Sequence, residues 1–295
     1  MDSILKLENV SKVYGNNVVV NNVNFDIKKG SVCGLLGPNG AGKTTIMKII
    51  MNELKCESGS VYYNKQLKIK YLQDVPNFYE FYSVEEYLFF LLDIAYYDKD
   101  KNIRVNEILE LLNLGDHKDK RIKKLSRGLR QKVGIASVII DEPDVLILDE
   151  PVSALDPIGR KEIFDLISSL RGKVTIIFSS HILTDIERVC DHVILINKGK
   201  ILLNSDIKSL SLDKQTLLIT FRNREDLLKI KENMDVSVRF NTNIENCLEV
   251  DGEDMRELQK KIFKVLIKNE VSVKGLSIKR DSLEEIFLRE VRNNG

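Results

Sequence analysis

The sequence has no long hydrophobic run and no strong excess of charge of one sign. Its longest apolar stretch, residues 87–92, is closed by Asp93, whereas a membrane-spanning helix needs about 20 apolar residues. We therefore expect no membrane-spanning helix in these 295 residues. Lys and Arg total 45 and Asp and Glu total 44, a balance that argues against a protein built chiefly to neutralise nucleic-acid phosphates.

Cysteine is scarce, and Cys33, Cys56, Cys190 and Cys247 form no CxxC pair. Scattered cysteines of this kind are typical of reduced thiols in a cytoplasmic protein. Cys190 and His192 could both contact a metal, but two ligands without a third nearby do not define a metal site. The first residues contain no basic stretch that leads into a long apolar segment, so we expect no secretory signal.

Strand-like and helix-like segments alternate through the first two thirds of the chain. The pattern predicts strands at 4–10, 18–27, 31–36, 145–148, 174–178 and 193–196. It predicts helices at 44–52, 158–170 and 182–190, and a mostly helical region at about 76–140. The alternation predicts an α/β domain, residues 1–211, with a parallel sheet covered on both faces.

A different pattern begins at about residue 212. It predicts strands at 216–221, 236–240, 247–250 and 271–278, and helices at 226–233, 255–268 and 282–292. We interpret 212–295 as a small C-terminal α+β accessory domain. Its basic and acidic residues are equal in number, so it is not a basic nucleic-acid arm.

One segment fits the phosphate-loop pattern G-x-x-x-x-G-K-[ST], and it lies between a predicted strand and a predicted helix. Its residues are Gly37, Pro38, Asn39, Gly40, Ala41, Gly42, Lys43 and Thr44. Glycines let backbone N–H groups surround phosphate oxygens, and the helix adds its positive N-terminal end. The Lys43 ammonium would reach the outer phosphates, and the Thr44 hydroxyl can ligate Mg²⁺. The alternative is a glycine-rich turn with an incidental lysine.

Two carboxylates, Asp149 and Glu150, follow the predicted buried strand at 145–148. Ligands of open parallel sheets bind at this edge. Asp149 would hold Mg²⁺ directly or through water, and Glu150 would orient or polarise an attacking water. The simpler alternative is that the two carboxylates are only an exposed acidic strand end. The phosphate loop upstream argues against this alternative.

Residues 4–211 resemble the ATP-binding cassette (ABC) ATPases, because segment 125–131 looks like the family's signature and lies between the phosphate loop and Asp149. The resemblance implies a phosphate-loop NTPase (RecA-like) core with an antiparallel β-subdomain and a helical signature subdomain. It implies two subunits that sandwich two ATP–Mg²⁺, with Ser126 and Gly128 of one subunit facing the γ-phosphate bound by the other.

The same resemblance assigns roles to further residues. Tyr14 would stack on adenine, unless it is only a turn tyrosine, and Thr45 would join the phosphate-loop residues. Gln73 would sense Mg²⁺ and the attacking water, and His181 would contact the γ-phosphate. Residues 153–156 resemble the D-loop, which crosses the dimer interface and ends at Asp156.

The sequence departs from the family in two places. The common signature is Leu-Ser-Gly-Gly-Gln, whereas Arg127 and Leu129 replace its first Gly and its Gln here. These two substitutions put the family's usual contacts with the partner subunit in doubt. The stretch between Thr45 and Gln73 is shorter than usual. The variant signature and the C-terminal extension resemble a branch of bacterial exporters, including antibiotic-resistance and peptide-immunity systems, whose permease is a separate chain.

The favoured interpretation is therefore the ATP-hydrolysing subunit of an ABC exporter, peripheral on the inner face of the cell membrane. Its partners would be a membrane permease and a second ATPase subunit, identical or related; no nucleic acid is expected. A soluble ABC ATPase and a non-catalytic ATP sensor are the alternatives, and Glu150 and His181 argue against the sensor. An aromatic-rich segment would line a groove for the permease, or pack into the helical core: Val75, Pro76, Phe78, Tyr79, Phe81 and Tyr82.

Overall fold

The computed structural model describes residues 2–153, 155–210, 215–233, 238–241, 244–251 and 255–280. The chain divides into two compact units, with the boundary between Ser205 and Asp206. The predicted helix at 282–292 and Ala154 of the predicted D-loop lie outside the described residues. Within the described ranges, no helix combines the length and apolar character that crossing a membrane requires.

The first unit contains nine of the named strands and six of the named helices. The strands are β1 (Ser3–Tyr14), β2 (Asn17–Lys28), β3 (Val32–Leu36), β4 (Ser58–Tyr63), β5 (Ile69–Leu72), β6 (Val145–Leu148), β7 (Thr175–Ser180), β8 (His192–Asn197) and β9 (Lys200–Asp206). The helices are α1 (Lys43–Ile50), α2 (Val84–Ile94), α3 (Lys101–Leu111), α4 (Arg127–Ile139), α5 (Pro157–Leu170) and α6 (Leu183–Val189).

The central sheet has six strands in the order β5-β6-β7-β3-β8-β9. β3 pairs in parallel with β7 and β8, and β6 pairs in parallel with β5 and β7. Every residue of β3, β6 and β7 is buried, as expected for strands that are covered on both faces. The predicted α/β class and parallel sheet are confirmed. β5 and β9 escape prediction because both strands are mostly half-exposed and give no continuous apolar run.

A second, antiparallel sheet has the order β2-β1-β4, in agreement with the β-subdomain that the resemblance implies. One apolar cluster joins this sheet, α1 and the central sheet, and it includes Leu7, Val23, Met47, Ile147 and Ile194. Burial of this cluster fixes the start of α1 against both sheets, and the phosphate loop lies at that point.

The region predicted to be mostly helical contains α2, α3 and α4, together with 3₁₀ turns at Gly115–His117 and Ile122–Lys124. α2 begins with the expected capping box: the Ser83 hydroxyl accepts from the Glu86 N–H at 3.2 Å, and the Glu86 carboxylate accepts from the Ser83 N–H at 2.7 Å. α3 has a simpler cap, in which the Asp100 carboxylate accepts from the N–H groups of Asn102 and Ile103.

The second unit is built on an antiparallel sheet in the order β11-β12-β10-β13. Its elements are α7 (Ile207–Leu210), β10 (Gln215–Phe221), α8 (Arg224–Glu232), β11 (Val238–Phe240), β12 (Cys247–Asp251), α9 (Met255–Lys268) and β13 (Val273–Arg280). Leu217, Ile219 and Phe221 alternate along β10 and pack in one cluster with Ile230 of α8 and Ile262 of α9. This unit has a hydrophobic core of its own.

Candidate functional site: the phosphate loop and the strand ends beside it

The phosphate loop connects β3 to α1 and needs glycine for two different reasons. Gly40 and Gly42 have φ of 79° and 106°, which other L-residues rarely adopt. At Gly37 the restriction is space, because a Cβ there would lie 2.2 Å from the backbone oxygen of Ile196. α1 has no side-chain cap and no acidic residue in its first turn. The N–H groups and the positive end of α1 are therefore available to an anion.

Lys43 folds back across this loop. Its side chain is 7% exposed, and its Nζ donates to the backbone oxygens of Gly37 at 2.7 Å and Pro38 at 3.3 Å. The same Nζ lies 3.6 Å from Oε1 of Glu150. Oε1 is buried and accepts no hydrogen bond from the described residues. A buried ammonium and an unsatisfied carboxylate oxygen thus face each other at the loop.

Asp149, the first residue after β6, is buried and receives three hydrogen bonds. Its Oδ2 accepts from the Thr44 hydroxyl at 3.0 Å and from the Tyr71 hydroxyl at 3.1 Å. Its Oδ1 accepts from the Ser179 hydroxyl at 2.6 Å. A buried carboxylate is costly without such partners. The donors come from α1, β5 and β7, so the order of strands in the sheet assembles this set.

The Tyr71 hydroxyl is held in its protonated form. Burial is the main cause that raises its pKa above the usual value, and the negative charge of Asp149 raises it further. Tyr71 therefore remains a hydrogen-bond donor to Asp149 at neutral pH, and it fixes the carboxylate rather than exchanging a proton with it.

Glu150 adopts a left-handed backbone conformation, with φ of 48°, that is uncommon for a non-glycine residue. The Ser179 hydroxyl accepts from its N–H at 2.9 Å and stabilises this turn. Oε2 of Glu150 lies 2.7 Å from Nδ1 of His181, the residue that follows β7. A carboxylate can only accept, so Nδ1 donates the hydrogen of this contact. Lys43 and His181 thus contact different oxygens of Glu150.

The phosphate loop and the two carboxylates line one cavity of about 410 Å³. Its lining residues are Val19, Pro38, Asn39, Gly40, Ala41, Gly42, Lys43, Thr44, Thr45, Asp74, Asp149 and Glu150. Most residues that the sequence predicts for phosphate binding are therefore together. The predicted site residues that are not among the lining residues are Tyr14, Gly37, Gln73, Ser126, Gly128, Asp156 and His181.

Tyr14 and Gln73 lie at strand ends. Tyr14 ends β1 and is 50% exposed, with the ammonium of Lys12 at 5.4 Å from its ring centre. Gln73 directly follows β5 and is half-buried, and the next residue, Asp74, is the one that lines the cavity. The roles of Tyr14 and Gln73 stay predictions.

Ser126, Gly128 and Asp156 lie at helix starts. The Ser126 hydroxyl accepts from the Leu129 N–H at 3.4 Å and caps α4, in which Gly128 is the second residue. The Asp156 carboxylate accepts from the Gly159 N–H at 2.7 Å and caps α5. Their predicted roles across a dimer interface stay predictions as well.

No sequence pattern indicates a role for Tyr71, Ser179 or Asp74, although all three belong to this site. Tyr71 and Ser179 lie near the carboxyl ends of β5 and β7, and a polar residue at such a position is a weak signal that could have identified them. The sequence gives no separate signal for Asp74, because its neighbour Gln73 is the residue that matches the family pattern.

Comparisons with known proteins identify the family of this chain. The family described as ABC transporter matches residues 20–153. An uncharacterized ABC transporter ATP-binding protein, YxlF of Bacillus subtilis, is 32% identical over 98% of this chain and 99% of its own. The bacitracin transport ATP-binding protein BcrA of Bacillus licheniformis is 31% identical over 98% of this chain and 97% of its own. The lantibiotic transport ATP-binding protein SrtF of Streptococcus pyogenes is 37% identical over 69% of this chain and 91% of its own.

Solved structures of ABC transporter ATP-binding proteins share the fold of this chain. The ATP-binding subunit of an ABC transporter has a TM-score of 0.64 and 26% identity, covering 70% of this chain and 92% of that one. CbiO1 of Clostridium perfringens has a TM-score of 0.63 and 29% identity, covering 72% and 92% of the two chains. With the phosphate loop, the strand-end carboxylates and relatives that match over nearly their whole length, the chain belongs to the ABC transporter family, as an ATP-binding protein with ATPase activity.

Proposed function

We propose that this ATPase hydrolyses ATP–Mg²⁺ at the cavity of the phosphate loop and drives a separate permease, in the direction of export, at the inner face of the cell membrane. Two relatives are named for the transport of bacitracin and of a lantibiotic, which supports a membrane transporter of antimicrobial compounds. These names favour transport over the soluble alternative.

The contacts of Glu150 carry this proposal. Its Oε1 faces the Lys43 ammonium without a hydrogen bond from the described residues, and its Oε2 contacts His181. ATP supplies the phosphate oxygens that a buried ammonium and a helix N-terminus can bind. A carboxylate at this position can accept the proton of an attacking water, and the His181 contact keeps Oε2 oriented.

The residues around Asp149 suit Mg²⁺. This ion prefers oxygen ligands and usually takes one or two protein oxygens besides phosphates and water. The Thr44 hydroxyl and the Asp149 carboxylate lie 3.0 Å apart at the cavity and would hold it. Mg²⁺ would supply charge neutralisation for the phosphates, while Tyr71 and Ser179 keep Asp149 in place.

We also propose that two copies, or this chain and a related subunit, form each complete site. The signature residues Ser126 and Gly128 are not among those that line the chain's own cavity, although the family resemblance assigns them to the γ-phosphate. Ser126 is exposed at the start of α4, and its helix N-terminus has no acidic residue in the first turn. Such a helix start suits the phosphates of a partner's ATP.

Subunit mixing tests this arrangement. Gly128→Asp adds a negative charge at the signature, and its Cβ would meet only Leu155 Cδ2 at 3.6 Å, so we expect the variant to fold. Gly128→Asp and Lys43→Ala should each release phosphate much more slowly than the wild type when alone. A mixture should recover part of the wild-type phosphate release, because mixed dimers contain one site with both defects and one intact site. Activity of Gly128→Asp alone, or no recovery on mixing, would contradict the shared site.

The aromatic-rich segment divides into a packed part and an exposed part. Phe78 packs edge-on against Tyr87 at 5.8 Å, and Tyr87 is buried, which agrees with the core alternative for Phe78. Tyr79 and Phe81 are 55% and 62% exposed, and their rings meet that of Tyr82 edge-on and at a tilt, respectively. Exposed aromatic residues are favoured anchors of interfaces. We propose Tyr79 and Phe81 as the contact for the permease.

Replacing Tyr79 or Phe81 by Ala should reduce copurification with the permease while ATP binding by the isolated chain is retained. Each loses an exposed ring, so unfolding temperature should change little. Tyr62→Ala, at a tyrosine 53% exposed on β4, is the matched control and should copurify normally. Normal copurification and transport of both variants would locate the permease contact elsewhere.

A further inference from the structure

Ser179 is a polar residue behind the cavity of the phosphate loop. It is fully buried and lies near the carboxyl end of β7. β7 pairs in parallel with β6, and Phe178 lies opposite Leu148. Ser179 therefore comes next in register, beside Asp149. Because Ser179 is not among the residues that line the cavity, it can influence a bound nucleotide through its neighbours rather than by contact.

The Ser179 hydroxyl uses both of its hydrogen-bonding functions on two consecutive residues. It donates to Oδ1 of Asp149 at 2.6 Å and accepts from the N–H of Glu150 at 2.9 Å. The directions are fixed, because an ionised carboxylate can only accept and an N–H can only donate. The result is one chain of hydrogen bonds, from N–H to O–H to carboxylate, whose members polarise one another. One hydroxyl thus joins the residue suited to Mg²⁺ to the residue suited to activating water.

The other donors to Asp149 are arranged differently. The hydroxyls of Thr44 and Tyr71 both donate to Oδ2, at 3.0 Å and 3.1 Å. Loss of either one would leave Oδ2 with the other donor and would leave the Glu150 N–H bonded to Ser179. Loss of the Ser179 hydroxyl would instead remove the donor to Oδ1 and the acceptor of the Glu150 N–H together. Ser179 is therefore placed to affect both carboxylates at once.

The turn at Glu150 depends on the acceptor that Ser179 supplies. Glu150 has a φ of 48°, which is uncommon for a residue with a Cβ, and its side chain is only 15% exposed. An enclosed N–H that loses its acceptor destabilises the conformation that encloses it. A catalytic carboxylate must be held to within about 0.5 Å of its productive position. Relaxation of this turn would therefore misplace Glu150 for proton transfer without removing it from the site.

We propose that Ser179 is a positioning residue that couples the cation site to the activation of water, because one hydroxyl holds both Asp149 and Glu150. The proposal rests on the proposed roles of these two residues in the hydrolysis of ATP–Mg²⁺. Loss of the hydroxyl should cause two separable defects. Cation binding weakens through Asp149, and turnover of the fully loaded site falls through Glu150. Loss of a donor that serves Asp149 alone, such as Tyr71, should cause chiefly the first defect.

Ser179→Ala tests this coupling, because it removes the hydroxyl and leaves a side chain that fits the same space. Two quantities are measured on the full chain: the affinity for Mn²⁺ in the presence of ATP, by electron paramagnetic resonance, and phosphate release at rising Mg²⁺ concentration. We expect both to fall by about tenfold or more, and we expect phosphate release to stay low at saturating Mg²⁺. Phosphate release by Tyr71→Phe should instead rise toward the wild-type rate as Mg²⁺ increases.

Two further variants separate positioning from a general loss of structure. Ser179→Thr keeps the hydroxyl on a side chain that suits a strand, and it should restore part of the turnover lost in Ser179→Ala. Ser168→Ala is the matched control, because that hydroxyl donates to the Phe164 oxygen within α5 and lies outside the cavity lining. It should keep both the affinity for Mn²⁺ and the turnover of the wild type. The unfolding temperature is measured for every variant and should change little.

The outcomes distinguish the coupling from the proposed function. Low turnover of Ser179→Ala at saturating Mg²⁺, together with weakened Mn²⁺ binding, would support the coupling. If excess Mg²⁺ restores the turnover of Ser179→Ala, or if this variant matches Ser168→Ala, the coupling is wrong and the proposed ATPase site still stands. Wild-type turnover of Glu150→Gln would overturn both.

Discussion

Replacing Glu150 by Gln should nearly abolish ATP turnover while ATP binding is retained. The amide cannot accept a proton as the carboxylate does, and general-base catalysis typically contributes about 10²–10⁴-fold. The Lys43 ammonium, 3.6 Å from Oε1, loses an opposing charge but keeps its hydrogen bonds to Gly37 and Pro38. Phosphate release and equilibrium binding of ATP measure the two effects separately.

A matched Glu→Gln change is available at Glu107. That residue is exposed on α3 and forms a surface ion pair with Arg104, which is of little energetic consequence. Glu107→Gln should therefore turn over ATP as the wild type does. We also expect Glu150→Gln to accumulate as an ATP-dependent dimer in gel filtration, because the bound nucleotide is no longer consumed. Wild-type turnover of Glu150→Gln would remove this carboxylate from the chemistry.

Replacing Lys43 by Ala should weaken ATP–Mg²⁺ binding and hydrolysis together. A charge-assisted hydrogen bond contributes about 1.5–3 kcal/mol, so affinity should fall roughly ten- to hundredfold. The change also leaves the Gly37 oxygen without its Lys43 donor and Glu150 without its opposing charge, whereas the Pro38 oxygen still accepts from the Ala41 N–H at 3.1 Å. Nucleotide titration by calorimetry measures the loss.

Control variants are needed to show that Lys43→Ala loses affinity for ATP without losing its fold. Lys43→Met retains most of the buried side-chain stem and removes only the charged end, so it should lose affinity with a smaller change of unfolding temperature. Lys48→Ala removes an exposed lysine from the same helix and should bind ATP as the wild type does. Unchanged affinity and unchanged hydrolysis in both Lys43 variants would exclude Lys43 from the site.

The parts of the site that the sequence predicts are those determined by local pattern. The phosphate loop between a strand and a helix, and Asp149 and Glu150 after a fully apolar strand, need no knowledge of distant contacts. His181 rests on the family resemblance, and the structure brings its ring to Glu150. Four strands of the central sheet, β3, β6, β7 and β8, are predicted for the same reason, since each contains a continuous buried run.

The parts that the sequence does not predict depend on which strands are neighbours. Tyr71 and Ser179 reach Asp149 only because β5 and β7 flank β6 in the sheet. Nothing in the order of the chain specifies that arrangement. The local pattern likewise does not specify that Asp74 lines the cavity and that its neighbour Gln73 does not.

The left-handed backbone of Glu150 lowers the stability of the fold, although its side chain serves ATP turnover. A left-handed conformation costs a residue with a Cβ about 1–2 kcal/mol and costs glycine almost nothing. Directed evolution for heat resistance alone would therefore tend to replace Glu150, with its φ of 48°, by glycine and so lose the enzyme. Libraries screened only for stability should hold this position fixed.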